Sequence, residues 1–286
     1  MAGLGMRDIK RRIKSVNSTK QITKAMELVS SAKLRKAKEN LEKTRPYFNL
    51  IGETINEIIA STKGVKHDYI TPRKVEKTGY IVITADRGLC GGYNSNVIKK
   101  AVVHMEEKER VSIIAVGTKG RDYFKKRQYD LDGEFQSPSD NPTYNFAHNI
   151  GELSRELYKQ KLVDEVYLVY TEFFSTISYK PRAIKLLPLE VNEETVVKER
   201  EERMTYEPSP EAVLDYLIPK YVDSMIYGAI VEAATSEHGA TRVAMESATD
   251  NAEEMIDSLK LQYNRARQAS ITQEIAEIVG GAEALK

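Results

Sequence analysis

The chain has 286 residues, with 43 Lys and Arg against 42 Asp and Glu, a formal charge of +1. That length holds a substantial core and one or two domains, and the near-neutral total excludes a molecule that as a whole binds polyanions. A single cysteine, Cys90, excludes an intramolecular disulfide and fits a reducing compartment, while His67, His104, His148 and His238 lack metal-ligand spacing.

From about Leu4 to Ser61, apolar residues recur in steps of three and four: Ile9, Ile13, Val16, then Ile22, Met26, Val29, then Leu34, Ala37, Leu41, then Ile51, Ile55, Ile58. That spacing predicts one long helix, kinked at Pro46. It is strongly basic, from Arg7 and Lys10 through Lys43 and Arg45. The N-terminus has no apolar h-region, so it is no secretory signal, and Asp8, Glu27 and the continuing helical pattern argue against a transit peptide. No run of 18 apolar residues predicts a transmembrane helix.

Lys63 to Lys77 is polar and reads as a linker. The period then changes. Tyr80 to Ala85 is a continuous apolar run, as in a strand buried on both faces. A turn at Asp86 to Gly92 leads into a helix from Asn94 to about Lys108. Val111 to Val116 reads as the second strand, Lys119 to Arg127 as a short helix, and Tyr129 to Phe135 as a third strand. A helix over Phe146 to Lys161 precedes two closing strands, Glu165 to Thr171 and Arg182 to Leu187. Alternating strands and helices imply a mostly parallel, Rossmann-like sheet. Residues 192–207 form a charged link.

The final stretch, about Pro210 to Leu285, reads as a single helix. Ser209 is placed to cap it, Pro210 fits its first position and Glu211 suits the positive end, with Gly280-Gly281 as the stop. A helix of some 70 to 75 residues would be roughly 110 Å long and needs a partner along its apolar face. Ala229, Ala233, Ala240, Ala244, Ala248 and Ala252 offer a row for close approach, followed by Ile256, Leu259 and Tyr263. Its acidic residues, among them Asp215, Asp223, Glu232, Glu237, Glu246 and Glu253, complement the basic first helix. The expected fold is therefore α/β, with the N- and C-terminal helices in a long antiparallel coiled coil and a central Rossmann-like domain. The partition is 1–62, 63–77, 78–207 and 208–286. The longer helix would project a bare tip of Ile271, Ile275, Ile278, Val279 and Leu285, which calls for a surrounding partner.

Two motifs invite other functions. The turn Arg87-Gly88-Leu89-Cys90-Gly91-Gly92 resembles a phosphate cradle but is neither G-x-G-x-x-G nor a P-loop, and Cys90 has no assignable base. The basic first helix could bind nucleic acid, yet it lacks interleaved aromatics and carries an apolar stripe that indicates packing. The alternatives to a packing role are thus a helical-hairpin scaffold for nucleic acid and a nucleotide-binding α/β enzyme.

Three blocks carry a resemblance. They are Met6 to Met26 (MRDIKRRIKSVNSTKQITKAM), Asp86 to Asn94 (DRGLCGGYN), and Ala244 to Ala252 (AMESATDNA), the last continuing through Tyr263 to Glu274 and Glu277 to Ala282. Spanning both termini and the middle, they resemble the γ subunit of F-type, proton-translocating ATP synthases, bacterial type. Gly239 to Val243 departs from the family pattern, and no cysteine pair follows the sheet, so the chloroplast redox switch is not expected. The resemblance implies a non-catalytic rotor in the central stalk, without cofactor, inside a ring of three α and three β subunits. It further implies contacts with the ε subunit and c-ring, no nucleic acid, and membrane contact only through other subunits at the cytoplasmic face of the bacterial membrane. Proton-driven c-ring rotation would be coupled to ATP synthesis or hydrolysis on β. Matching positions are Lys24, Met26, Arg267, Gln268 and Thr272 for β contacts, the tip residues for the bearing, and Tyr206 and Glu207 for the c-ring and ε side.

Overall fold

The computed structural model describes residues 5–61, 67–108, 110–176, 178–189, 207 and 209–283. In chain order the elements are α1 (Met6–Ser61), β1 (Thr78–Ile83), α2 (Tyr93–Met105), β2 (Val111–Val116), α3 (Thr118–Lys126), β3 (Leu131–Phe135), α4 (Tyr144–Lys159), β4 (Glu165–Phe173), β5 (Tyr179–Leu187) and α5 (Pro210–Glu283). The chain divides into two compact units, one of Met1–Ser30 with Arg242–Lys286 and one of Ser31–Thr241.

The larger unit is built on a five-stranded sheet of order β3-β2-β1-β4-β5. β1 pairs in parallel with β2 and β4, and β2 with β3, while β5 alone runs antiparallel, against β4. The mostly parallel sheet read from alternating elements is thus present. Side chains of β1 and β2 alternate between two cores, as a pleated strand requires. Tyr80, Val82, Ile113 and Ala115 join Val97, Ala101 and Met105 of α2 and Phe124 of α3. Ile81, Ile83, Ile114 and Val116 face the other way, onto Ala147, Ile150 and Tyr158 of α4 and onto α5.

The contribution of α5 to that second core is Leu214, Ile218, Val222, Ile226 and Ile230, four residues apart and all buried. Each such side chain contributes about 1.5–3 kcal/mol on leaving water. Ala229 and Ala233, expected in a seam between the two long helices, belong to this sheet core instead. The α1 side of α5 is met by Leu34 and Leu41, which cluster with Phe173 and Val231. Ser209 caps α5 as its position suggests, its Oγ accepting from Ala212 N at 3.3 Å.

In the smaller unit the two helix segments run antiparallel, because Lys20 meets Glu253 while Thr23 meets Thr249. Burial on α1 recurs at Ile9, Ile13, Val16, Lys20, Thr23 and Ser30, and on α5 at Met245, Thr249, Ala252, Ile256, Leu259 and Tyr263. This three-and-four spacing is that of a coiled-coil seam. It corrects the stripe expected from hydrophobicity: Ile22 and Val29 are 60% and 55% exposed, while the neighbouring Thr23 and Ser30 are buried. Charge complementarity is also narrower than expected. Lys20 to Glu253, at 2.8 Å, is the one ion pair across this seam among the described residues.

Two boundaries differ for identifiable reasons. β5 begins at Tyr179 and contains Pro181, which a strand tolerates at a sheet edge where no neighbour needs its N–H. α5 runs through Gly280 and Gly281 to Glu283, so that pair is not a stop.

Candidate functional site

Lys24 and Met26 lie on α1 in the smaller unit. Lys24 is exposed and pairs with Glu27 one turn on, at 3.1 Å, while Met26 is half-buried. Arg267, Gln268 and Thr272 lie on α5, all exposed, with Thr272 Oγ1 donating to Gln268 O at 2.9 Å. The antiparallel register puts Thr23 beside Thr249. Lys24 and Met26 are therefore separated from Arg267 by some five turns of α5, roughly 27 Å at 1.5 Å per residue. The structure places these residues in two separate regions of the unit rather than together.

Beyond Ser270 the seam ends. From Ile271 to Ala282 every side chain is exposed, including Ile271, Ile275, Ile278 and Val279, with Ile278 71% exposed. Further along the same unit, Ile22, Leu28 and Val29 of α1 and Met255 and Leu261 of α5 also point outward. Apolar exposure on this scale marks a surface meant for partners. Glu207 is exposed, and Tyr206 and Leu285 lie outside the described residues.

The glycine turn after β1 has a different use from phosphate binding. In doubly wound sheets a ligand occupies the crevice beyond the carboxyl ends of the strands. Here Ala85, Cys90 and Tyr93, just beyond the carboxyl end of β1, pack against Ala240 of α5. The side chains of Asp86 and Asn94, which flank the turn, are engaged within the fold. Asp86 accepts from the amides of Thr118 at 2.8 Å and Ser137 at 3.1 Å. Asn94 Oδ1 accepts from Ala85 N at 2.8 Å, while Asn94 Nδ2 donates to Arg87 O at 3.1 Å. Burial pushes the Cys90 thiol up, the reverse of what a nucleophile needs.

Two polar clusters escaped the sequence reading. Glu237 on α5 is pushed up to about 7, first by burial and then by the charges of Asp86 and Asp140. Burial also lowers the neighbouring His238, whose Nε2 lies 3.2 Å from Ser139 O. Asp223, deep in the larger unit, is met by Arg155 and His148 of α4. A carboxylate inside an otherwise small or apolar stretch of α5 was the available signal, but its partners are remote in sequence. Among the described residues no group of three His, Cys, Asp or Glu could hold a metal ion, and no helix is long and apolar enough to cross a membrane.

The profile of the ATP synthase family matches residues 5–285. The ATP synthase gamma chain of Alkaliphilus metalliredigens is 73% identical over 99% of this chain and 100% of its own length. The sodium-ion-specific ATP synthase gamma chain of Acetobacterium woodii is 50% identical over 98% of each. Among solved structures, the central stalk and c-ring of the Tetrahymena thermophila mitochondrial ATP synthase contain a chain with 25% identity and a TM-score of 0.62, covering 79% of this chain and 99% of that one. A chain of the Euglena gracilis mitochondrial ATP synthase shares the fold with a TM-score of 0.71 at 20% identity, over 98% of this chain and 94% of that one.

Proposed function

The chain belongs to the ATP synthase gamma-chain family, and on that footing we propose that it is the central-stalk rotor through which ion-driven rotation of a c-ring reaches the catalytic β subunits. It performs no chemistry itself. Three α and three β subunits enclose the outward apolar residues of the smaller unit, and ε and the c-ring bind the larger unit on the side of Tyr206 and Glu207. Lys24, Met26, Arg267, Gln268 and Thr272 meet β, and Ile271, Ile275, Ile278, Val279 and Leu285 turn within the bearing. The assembly sits at the cytoplasmic face of a bacterial membrane, which this chain touches only through other subunits.

The observation that supports this most is the stretch from Ile271 to Ala282, helical, apolar in part and exposed throughout. A single helix in that state needs a sleeve. Coupling follows from asymmetry: each β meets a different face of the rotor, so a turn changes which nucleotide site is open or closed by differential contact energy. Purification of the native complex tests the assignment. One copy per three αβ pairs, with ATP-driven ion transport lost on depletion of this chain and restored on its return, is the expected result. Transport that survives depletion refutes it.

A further inference from the structure

The contact between α4 and α5 combines two kinds of interaction with different mechanical properties. Most of it is apolar, through Leu214, Ile218, Val222 and Ile226 against Ala147 and Ile150. Apolar burial is non-directional, so it opposes separation of two elements far more than it fixes the angle of one against the other. Set among these apolar residues is Asp223, 1% exposed. Its Oδ1 accepts from Arg155 Nη1, and its Oδ2 lies 2.7 Å from His148 Nδ1. Arg155 Nη1 also reaches Pro219 O, one turn back on α5, at 3.3 Å.

His148, Gly151 and Arg155 are spaced by three and four, so they form one face of α4. The middle position is cleared for the carboxylate. A Cβ built on Gly151 would collide with Asp223 Oδ1 and press on Arg155 Nη1. An arginine, a histidine and a glycine on α4 are thus all fitted to one carboxylate on α5. A buried ion pair is costly, and apolar side chains of similar volume often serve stability as well or better. What such a pair supplies that they do not is direction: its bonds hold at a single rotational setting of one helix on the other.

We infer that Asp223, clamped by Arg155 and His148, is the joint that passes torque between the sheet layer and α5, preventing the helix from rolling in its apolar seat. This rests on the rotor reading above and adds to it the residues that bear the load. They are positioning residues, remote from any catalytic site.

The test uses the assembled complex reconstituted in vesicles, with the double substitution Arg155→Met, Asp223→Leu, which removes both buried charges together. ATP hydrolysis without an opposing gradient is expected to stay within twofold of the original. ATP-driven ion transport against an imposed gradient is expected to fall at least fivefold, because slip shows under load. Arg155→Lys, which keeps the charge but loses the planar fork, should fall between the two. Transport and hydrolysis both unchanged would overturn the inference, as would a parallel fall in both with loss of the chain from the complex, which would show the pair to serve folding alone. The unsubstituted chain is the separate control: if it fails to restore transport to a depleted complex, the rotor reading itself has failed, whatever the variants do.

Discussion

The hydroxyls of Thr23 on α1 and Thr249 on α5 lie 2.8 Å apart across the seam of the smaller unit, both buried. Each also reaches a carbonyl of its own helix, Lys20 O at 3.1 Å and Met245 O at 2.8 Å. A slip by one turn would separate them, so they set the register of the two segments. Replacing Thr23 by Val leaves Thr249 with its own-helix bond only, and should cost about 0.5–1.5 kcal/mol. Thr23→Val with Thr249→Val should cost less than the sum of the two single changes, with a coupling of about 1 kcal/mol by thermal unfolding. Simple additivity would show the pair to be incidental.

Glu237 makes stability depend on pH. Its folded value of about 7 stands above the ordinary 4.5. Between these values the folded state binds more protons than the unfolded one, so this group lowers stability as pH rises through the window, and the whole cost is present above about 7. Glu237→Gln should therefore stabilise the protein at pH 8, by at most about 3 kcal/mol, and the gain should vanish by about pH 4.5. His238 acts in the opposite sense but is common to both proteins, so the difference between their melting curves isolates Glu237. Equal midpoints at pH 8 would contradict the assignment.

Gly117 joins β2 to α3 with φ at 97°, and a Cβ there would overlap the Thr84 carbonyl. Both conformation and space require glycine. Gly117→Ala should destabilise the larger unit by about 3 kcal/mol or more, seen as a lowered denaturation midpoint. A loss below 1 kcal/mol would mean the turn can rearrange.

Removal of residues 271–286 deletes side chains that are exposed through Ala282. The melting temperature of the isolated chain should move by less than about 2 °C, while the complex assembles less stably. Arg267→Ala with Gln268→Ala should leave that temperature unchanged and lower ATP synthesis several-fold in the complex. Unaltered synthesis and assembly in both variants would refute the bearing and contact roles.

The sheet was legible because β1 and β2 are short runs rich in β-branched residues bounded by polar turns, and Val111 to Val116 matches its strand end to end. The seam of the smaller unit was less so. Thr23 and Ser30 take positions that hydrophobicity assigns to Ile22 and Val29, because the outward positions are also apolar. Pro181 hid the first half of β5, since its tolerance depends on the strand lying at an edge, a property of the whole sheet. The Asp223 cluster was invisible for a related reason: Arg155 stands 68 residues away, and a charge on a long helix reads by default as a solvated one.

The smaller unit buries Thr23, Ser30 and Thr249 beside its apolar seam residues while Ile22, Val29 and Ile271 face outward, which has a bearing on how a cell must handle this polypeptide. A copy synthesised ahead of its partners exposes greasy surface while its own two strands of helix hold each other through modest bonds. Surplus copies then present the kind of surface on which chaperones and proteases act.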